Sequence, residues 1–476
     1  MKTRKELNLG YSDFKSIIEN DNYFVDKSLF VKEVIKAEKA VLLLPRPRRF
    51  GKTLNLSMLR YFFEINQPEN EKLFLHLKLW QTENDIKQKQ GKYPVLFLSF
   101  KDAKKDTWKN TFEHIIAEIV NLYKQHLYLL QDNFLSDFEQ VEFMDILYKR
   151  ASEVTCENSI KQLSEYLYRY HKQKVVVLID EYDTPIQAGY KEFYNEVVSF
   201  MRNLLSGAFK DNNYLYKGVI TGILRISKES IFSGLNNVSV YSILDDEFSD
   251  KFGFTESETK QILLDFNVPT EYEQIKKWYN GYKFGNTNNI YNPWSILNYA
   301  LSYKSGFKPY WVNTSSDGLL KERIKEQDAN YTRELLLKLI NNETIEKEID
   351  ENFVFPDLDT DKELLWTLLT FSGYLTTENK IDINTYTLKI PNYEIKFVFK
   401  NIIIKWLSVD VKIRKTLLTE TTKYLINNKI IEALGQIDKN KYYKELIDNK
   451  ISNIIKLPII FAGKEPHINL LNRQEL

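Results

Sequence analysis

An α/β fold with a mostly parallel sheet is predicted for the first half of this chain. Short apolar runs, β-branched or aliphatic, alternate there with longer amphipathic stretches, which is the pattern of strands joined by crossover helices. Runs that are apolar throughout are typical of central strands buried on both faces. Two of the runs end in polar or charged residues, at the edge where open α/β sheets place their ligands.

Four apolar runs form the predicted sheet, and a fifth candidate strand follows them along the chain. Each run is bounded by polar or turn residues, and helix-like stretches such as 54–64 and 107–126 lie between them. Together they predict an α/β core of about 250 residues. The predicted strands are 41–44, 95–100, 175–179, 215–221 and 238–244.

After the predicted sheet, apolar residues recur at helical spacing, so a helical region is expected over 253–345. From Glu363 a helix-like apolar run is followed by two strand-like stretches, 381–390 and 393–399. Helices with a terminal hairpin suggest a winged-helix-like region, which we expect over 346–407. The predicted helices of the helical region are 256–266, 270–279, 295–303 and 331–339.

Composition and charge narrow the class of protein. Hydrophobic residues make up 43% of the chain, enough to bury a sizeable core, so wholesale disorder is excluded. Lys and Arg number 66 against 65 Asp and Glu, so the chain as a whole gives no electrostatic case for nucleic acid or membrane partners. The N-terminal residues lack the apolar stretch of a secretory signal. With Cys156 as the single cysteine, a soluble protein of the reducing cytoplasm is expected.

Residues 41–55 carry a candidate phosphate-binding loop. A buried strand, a loop and the start of an amphipathic helix at Gly51-Lys52-Thr53 follow one another, which is the context that a Walker A motif requires. At a helix N-terminus the free backbone NH groups face a phosphate, Lys52 reaches its β- and γ-oxygens, and the Thr53 hydroxyl can coordinate magnesium. Arg46 departs from the usual pattern, because glycine normally occupies that position.

The rest of the loop is rich in cations. Arg46, Arg48 and Arg49 could contact phosphate oxygens with forked geometry, or one or more could pair with acidic side chains nearby. Gly51 lets the backbone approach a phosphate closely. The residues predicted to bind the cofactor ATP are Arg46, Arg48, Arg49, Phe50, Gly51, Lys52, Thr53 and Leu54.

A second polar cluster ends the predicted strand 175–179. Asp180 and Glu181 follow that strand directly, as the carboxylates of a Walker B segment do. Asp180 would hold the magnesium shell together with Thr53, and Glu181 would orient or deprotonate the attacking water. A solvated turn with a helix cap would also account for the pair alone. Both motifs together, each ending a buried strand, predict ATP and Mg²⁺ binding by a P-loop NTPase.

The strand 215–221 supplies two further catalytic candidates beside Glu181. Thr221 ends that strand at the ligand-binding edge of the sheet, and we predict that it senses the γ-phosphate. Arg225 could stabilise the transferring phosphoryl group, in cis or from a neighbouring subunit of a homo-oligomer. An ordinary surface salt bridge of Arg225 is the alternative.

These motifs, taken in order, resemble the bacterial AAA-ATPase-like family, whose P-loop domain is commonly followed by a PD-(D/E)XK-type nuclease domain. The resemblance implies an AAA-like P-loop ATPase domain over 1–252 and explains the arginine that begins the loop. It also implies that the strand of Thr221 lies between the strands of the two Walker motifs. The matching segments are 24–28, 46–55, 93–95, 179–185, 221–222, 233–237, 278–282 and 291–295.

The nuclease that the resemblance implies has no complete active site in this sequence. It needs an Asp and a Glu-x-Lys on adjoining strands, where the carboxylates hold a metal and the lysine positions water. Glu394-Ile395-Lys396 matches the tripeptide but falls in the predicted hairpin, where charge alternates with apolar residues. Segments 432–443 and 458–464 look like the last helix and strand of that domain. We therefore interpret 408–476 as an inactive remnant.

Three functional hypotheses follow from these patterns. The leading one is an ATPase whose nucleotide state rearranges its C-terminal regions. The alternatives are a nucleotide-gated binding scaffold without turnover, and a PD-(D/E)XK-type nuclease with an unrecognised active site. Residues 396–476 hold 15 Lys and Arg against 8 Asp and Glu, so a nucleic-acid contact there is a weaker hypothesis beside a solvated surface.

Overall fold

The computed structural model describes residues 5–7, 9–210, 212–225, 237–269, 271–311, 329–410, 459–462 and 465–468. The chain divides into two compact units. The first consists of Met1–Ser316 and Glu346–Asn392, and the second of Asp317–Ile345 and Tyr393–Leu476. The Walker-like motifs all lie in the first unit. Among the helices of the described ranges, none has the length and apolar character that a membrane span requires.

A five-stranded parallel sheet is the centre of the first unit in its described part, with the strand order β2-β3-β4-β1-β5. Every residue of β1 and β3 is buried, as their uninterrupted apolar sequences predict. The order confirms that the strand of Thr221 lies between the strands of the two Walker motifs. The strands are β1 (Val41–Pro45), β2 (Val95–Ser99), β3 (Val175–Asp180), β4 (Leu215–Gly222) and β5 (Val238–Val240), the last shorter than predicted.

Parallel strands need crossover connections, and helices supply them here. The helix α3 follows β1 directly, while α5 begins where the Thr107 hydroxyl accepts the NH of Asn110. The helices α7 and α9 directly pack against each other; α7 precedes β3 in the sequence, and α9 precedes β4. The helices of this part are α1 (Phe14–Glu19), α2 (Leu29–Lys36), α3 (Lys52–Phe63), α4 (Asn84–Lys87), α5 (Trp108–Lys124), α6 (Asp137–Leu147), α7 (Glu153–His171), α8 (Thr184–Gly189) and α9 (Tyr194–Phe209).

The predicted helical region contains helices and also a short antiparallel hairpin that the helical spacing of its sequence did not indicate. Its core is aromatic and aliphatic, with Ile275, Tyr279, Tyr291 and Ile296 fully buried. The helix α10 begins with a capping box formed by Thr255 and Glu258. The elements are α10 (Glu256–Asp265), α11 (Tyr272–Tyr279), β6 (Tyr282–Phe284), β7 (Thr287–Ile290), α12 (Pro293–Ser302) and α13 (Ala329–Ile340), of which α13 lies in the second unit.

Gly281 links α11 to β6 in a position that other residues cannot occupy. Its φ is 109°, and a Cβ there would overlap the carbonyl oxygen of Pro391. We expect Gly281→Ala to lower the free energy of unfolding by about 3 kcal/mol, because backbone strain and overlap add. Gly306→Ala is the matched control: φ is 73° but nothing lies within 4 Å of its Cβ. Denaturant-induced unfolding measures both variants. Equal losses of unfolding free energy would contradict the role assigned to the close contact between Gly281 and Pro391.

The predicted winged-helix-like region contains a three-stranded sheet of order β8-β10-β9 and a fully buried helix, α15. The predicted hairpin exists, but its strands are β9 and β10 rather than 381–390 and 393–399. The winged-helix-like interpretation itself and the domain boundaries stay predictions. The elements are β8 (Ile345–Glu348), α14 (Asp357–Thr360), α15 (Leu364–Phe371), β9 (Thr376–Lys380) and β10 (Thr385–Lys389).

The prediction of a strand at 393–399 is wrong, because these residues begin the helix α16 (Tyr393–Asp410). Ile395, Val398 and Phe399 are buried while Phe397 is 41% exposed. This spacing is helical, and the alternation assumed for the short segment is the wrong period. Glu394-Ile395-Lys396 therefore lies on a helix. In the second unit α16 packs against α13.

The predicted nuclease remnant falls almost entirely outside the described residues, including its predicted helix at 432–443. The described part of it contains the end of α16 and a hairpin of β11 (Ile459–Ala462) and β12 (Glu465–Ile468). Across the described residues, no group of three or more His, Cys, Asp and Glu side chains could hold a metal ion. The nuclease interpretation stays a prediction.

Candidate functional site

A cleft of about 760 Å³ opens at the carboxyl ends of β1 and β3. Its volume falls within the range of small-molecule sites in proteins. One wall is the loop between β1 and α3, and Glu181 and Thr184 line it from the end of β3. The segment 9–12 and the helix α12 contribute other walls. The cleft is therefore at the ligand-binding edge that open α/β sheets provide.

The loop between β1 and α3 wraps around its own lysine. Gly51 has a φ of 89° and caps α3, and Lys52 is the first residue of that helix. The Lys52 Nζ donates to the carbonyl oxygens of Arg46 at 3.0 Å and Pro47 at 3.2 Å. It also lies 3.9 Å from the Glu181 Oε1. The ammonium group is thus held between the loop and the end of β3.

The Asp180 carboxylate joins the two predicted motifs. Its Oδ2 accepts a hydrogen bond from the Thr53 hydroxyl at 2.7 Å, and its Oδ1 accepts one from Thr221 at 2.7 Å. The pKa of Asp180 is raised, because burial and the neighbouring Glu181 charge outweigh the opposing effect of the two hydroxyl hydrogen bonds. A hydroxyl and a carboxylate are the oxygen donors that magnesium prefers. The Thr53 and Asp180 pair therefore fits the predicted metal.

Thr221 contacts Asp180 instead of the cleft. Its side chain is fully buried, and within the described chain it is not among the residues that line the cleft. The structure corrects the prediction that Thr221 senses the γ-phosphate directly. Its hydroxyl fixes the orientation of the Asp180 carboxylate, since β4 lies beside β3 in the sheet.

Glu181 occupies a strained turn at the end of β3. Its φ is 54°, in the left-handed region that costs a residue with a side chain about 1 kcal/mol or more. The turn places its carboxylate in the cleft, where Oε2 accepts a hydrogen bond from the Thr184 hydroxyl at 3.0 Å. Local strain at a position that faces a cleft is typical of functional residues.

The prediction that the Arg46 side chain contacts phosphate is wrong. Its guanidinium is fully buried and donates to the carbonyl oxygens of Pro45 at 2.8 Å and Tyr241 at 2.7 Å. It lies 4.9 Å from the ring centroid of Phe252 and 5.6 Å from that of Phe284. Burial lowers the pKa of Arg46 to about 9. Arg46 contributes to the loop through its carbonyl oxygen, which accepts from Lys52.

The tip of the loop is held by the helical region. The Arg48 carbonyl oxygen accepts hydrogen bonds from the Asn292 amide at 3.4 Å and the Trp311 indole at 3.2 Å. The Phe50 ring packs against Tyr282 and Phe284, with centroid distances of 5.0 and 5.3 Å. Arg48, Arg49, Phe50 and Leu54 all line the cleft, as do Gly51, Lys52 and Thr53.

Arg225 does not line the cleft in the described structure. Its guanidinium pairs with the Glu351 carboxylate at 3.1 Å, and the other oxygen of Glu351 accepts from the Ser242 hydroxyl at 3.0 Å. Burial raises the pKa of Glu351, while the Arg225 charge opposes that shift. The salt-bridge alternative for Arg225 is thus the one observed within this chain, and a catalytic role from a neighbouring subunit stays a prediction.

Asp183 is a buried carboxylate to which the sequence patterns assigned no role. Its Oδ2 accepts the backbone NH groups of Ile223 at 2.9 Å and Leu224 at 3.0 Å. Burial raises its pKa to about 6. A Cβ on Gly222 would lie 2.6 Å from its Oδ1, so this glycine permits the close approach. Asp183 therefore ties the end of β3 to the segment after β4, and its signal was a third acid within three residues of Asp180.

The fold and site define the class: this is a P-loop NTPase, with a parallel sheet, a lysine-bearing loop that opens a helix and a carboxylate on a neighbouring strand. Residues 8–232 match the model of the AAA-ATPase-like family, described as "Predicted AAA-ATPase". This segment is similar to that family, and the chain is an ATPase-like P-loop protein.

The chain is also similar to two other proteins. The chain is 28% identical over 408 residues to "Uncharacterized protein in vnfD 5′ region" of Azotobacter chroococcum mcd 1, which covers 83% of this chain and 69% of that protein. The Walker-type ATPase paby2304 of Pyrococcus abyssi is similar in structure with a TM-score of 0.42 and 13% identity. That match covers 84% of this chain and 99% of the archaeal one.

Proposed function

We propose that this chain binds ATP with magnesium in the cleft and hydrolyses it. The observation that carries the proposal is the contact between the two motifs, in which the Thr53 hydroxyl lies 2.7 Å from the Asp180 carboxylate. Lys52 lies beside this pair, within 3.9 Å of Glu181. An ammonium, a hydroxyl and the Glu181 carboxylate thus line one cleft, and the buried Asp180 carboxylate lies directly behind the Thr53 hydroxyl. Phosphoryl-transfer sites combine groups of these kinds.

The triphosphate would lie over the N-terminus of α3, where backbone NH groups and the helix dipole favour an anion. Lys52 would neutralise phosphate charge, and Thr53 with Asp180 would hold Mg²⁺, which neutralises further charge on the phosphate oxygens when bound. The nucleoside would lie on the apolar side of the same cleft. That side is formed by Leu9, Tyr11, Phe24, Val25, Phe254 and Leu297.

In the proposed reaction a water oxygen forms a bond to the γ-phosphorus. The bond from that phosphorus to the β,γ-bridging oxygen breaks, and its electron pair stays on ADP. Glu181 accepts the proton of the attacking water, since its carboxylate faces the cleft and its side chain is 25% exposed. The products are ADP and inorganic phosphate.

We also propose that the nucleotide state is transmitted to the helical region. The loop tip is bonded to that region through the Arg48 carbonyl oxygen and packed against it through Phe50. A shift of the loop when phosphate binds or leaves would change these contacts. Ordering of loops by a γ-phosphate is a common form of nucleotide switching.

Phosphate release from ATP by the purified chain tests the proposal. We expect turnover that needs Mg²⁺, stops on chelation and falls by about 100-fold in Asp180→Asn, because the amide cannot hold the metal shell. Asp137→Asn, at the exposed start of α6, is the matched control and should leave the rate unchanged. Equal rates in Asp180→Asn and the wild type would contradict the assignment of the cleft.

A further inference from the structure

Arg49 lies at the tip of the phosphate-binding loop, against the side chain of Trp294. Its guanidinium carbon is 4.3 Å from the centroid of the Trp294 ring, and both residues line the cleft with Lys52 and Glu181. The φ of Arg49 is 66°, in the left-handed region that residues with side chains seldom adopt. The loop is therefore bent at Arg49, and the side chain is held on an aromatic face.

Trp294 is itself firmly placed. Its indole Nε1 donates to the carbonyl oxygen of Tyr310 at 3.2 Å, which fixes the ring. It stands in the first turn of α12, which Asn292 caps by accepting the NH of Ser295 at 3.2 Å. The Asn292 amide also donates to the Arg48 carbonyl oxygen. The start of α12 thus holds the loop backbone at Arg48 and the loop side chain at Arg49.

An aromatic partner leaves the positive charge of an arginine available. Arg225 is paired with Glu351, and Arg46 is buried among carbonyl groups. Trp294 instead holds Arg49 by its ring face, so the guanidinium keeps its full charge and its NH edges. Arg49 and Glu181 line the same cleft. Burial lowers the pKa of Arg49, and the Glu181 charge opposes that shift.

We propose that Arg49 is the catalytic arginine that stabilises the transferring γ-phosphoryl group in cis, and that Trp294 is the positioning residue that holds it. The inference rests on the hydrolysis proposed above. As the phosphorus leaves the bridging oxygen for water, negative charge grows on the bridging and γ-oxygens. A planar guanidinium with forked NH groups neutralises such charge.

Steady-state phosphate release from the full chain is the first measurement. Arg49→Ala is expected to lower kcat by about 100-fold with KM changed by less than about 3-fold, the mark of an interaction made in the transition state. Trp294→Ala should lower kcat by about 10-fold or more, while Trp294→Phe, which keeps a ring face, should stay within about 3-fold of the wild type.

Two measurements distinguish a positioning role of Trp294 from a general disruption of the structure. In the Arg49→Ala background, Trp294→Ala should cause no further loss, because a positioning residue acts only through its partner. The affinity for ADP with aluminium fluoride, a mimic of the transferring phosphoryl group, should fall in parallel with kcat in the variants. The affinity for ADP alone should change by less than about 3-fold. Arg150→Ala, at an exposed position just after α6, should match the wild type in both assays.

Losses that add fully in the double variant would overturn the role of Trp294. An Arg49→Ala enzyme with wild-type kcat, or with a raised KM alone, would overturn the role of Arg49. If the wild type hydrolyses ATP and Glu181→Gln abolishes turnover, the proposed hydrolysis stands. Either of these two Arg49→Ala results would then refute only the present inference. A wild type that releases no phosphate refutes both. Trp294→Phe keeps the question answerable if Trp294→Ala does not fold.

Discussion

Replacing Lys52 with alanine is expected to weaken ATP binding by about 100-fold to 1,000-fold, because truncating one partner of a buried charged contact costs about 2 to 5 kcal/mol. Only 4% of the Lys52 side chain is exposed, and its ammonium lies 3.9 Å from Glu181. Without it, the Glu181 carboxylate would face the phosphates with no cation from the helix. A calorimetric titration with ATP and Mg²⁺ measures the change.

Loss of charge in Lys52→Ala must be separated from loss of fold. The Lys52 Nζ also donates to the carbonyl oxygens of Arg46 and Pro47, so its removal alters the loop itself. Thermal unfolding of the variant checks that the sheet survives. Lys109→Ala, on the exposed side of α5, removes the same group elsewhere and should bind ATP as the wild type does. Affinity within about 3-fold of wild type in Lys52→Ala would refute phosphate binding by this loop.

Replacing Glu181 with glutamine is expected to lower kcat by about 1,000-fold, since a general base supplies about 100-fold to 10,000-fold. The amide keeps the size of the side chain and can still accept the Thr184 hydroxyl, but it cannot take a proton from water. ATP affinity should be unchanged or slightly higher, because a negative charge near the phosphates is removed. Single-turnover phosphate release with a parallel binding titration measures both quantities.

This variant also separates an enzyme from a binding scaffold. A scaffold would bind ATP through Lys52 and Asp180 and show the same negligible turnover with Glu or Gln at position 181. Glu196→Gln, on the exposed face of α9, controls for the loss of one carboxylate. Turnover in Glu181→Gln close to that of the wild type would remove Glu181 from the reaction and favour another base.

The central sheet could be predicted from the sequence because its strands are buried on both faces. Residues such as Val175 and Ile179 are apolar without alternation, and a run of this kind at strand length is typical of a central parallel strand. The position of the Thr221 strand between the two Walker strands came from the family resemblance, since pairing between distant segments leaves no local pattern. The prediction of a strand at 393–399 was wrong because a short apolar stretch fits the strand period and the helix period alike.

The geometry of the candidate site could be predicted where it depends on position along the chain, and not where it depends on partners distant in sequence. Lys52, Thr53, Asp180 and Glu181 follow strand ends, so the fold brings them together once the strands are known. The guanidinium of Arg46 bonds instead to Tyr241, and nothing near Arg46 in the sequence indicates that partner. The sequence reveals the charge of an arginine, but tertiary packing determines which group the guanidinium contacts.

The contacts at the loop tip carry a consequence for how the protein is made. Asn292 and Trp311 bond to Arg48, and Trp294 holds Arg49, yet all of them lie well beyond the family segment 8–232. A nascent chain emerging from the ribosome can pair its strands before these residues exist outside the exit tunnel. The loop tip therefore gains these contacts only after the chain has been translated past Trp311.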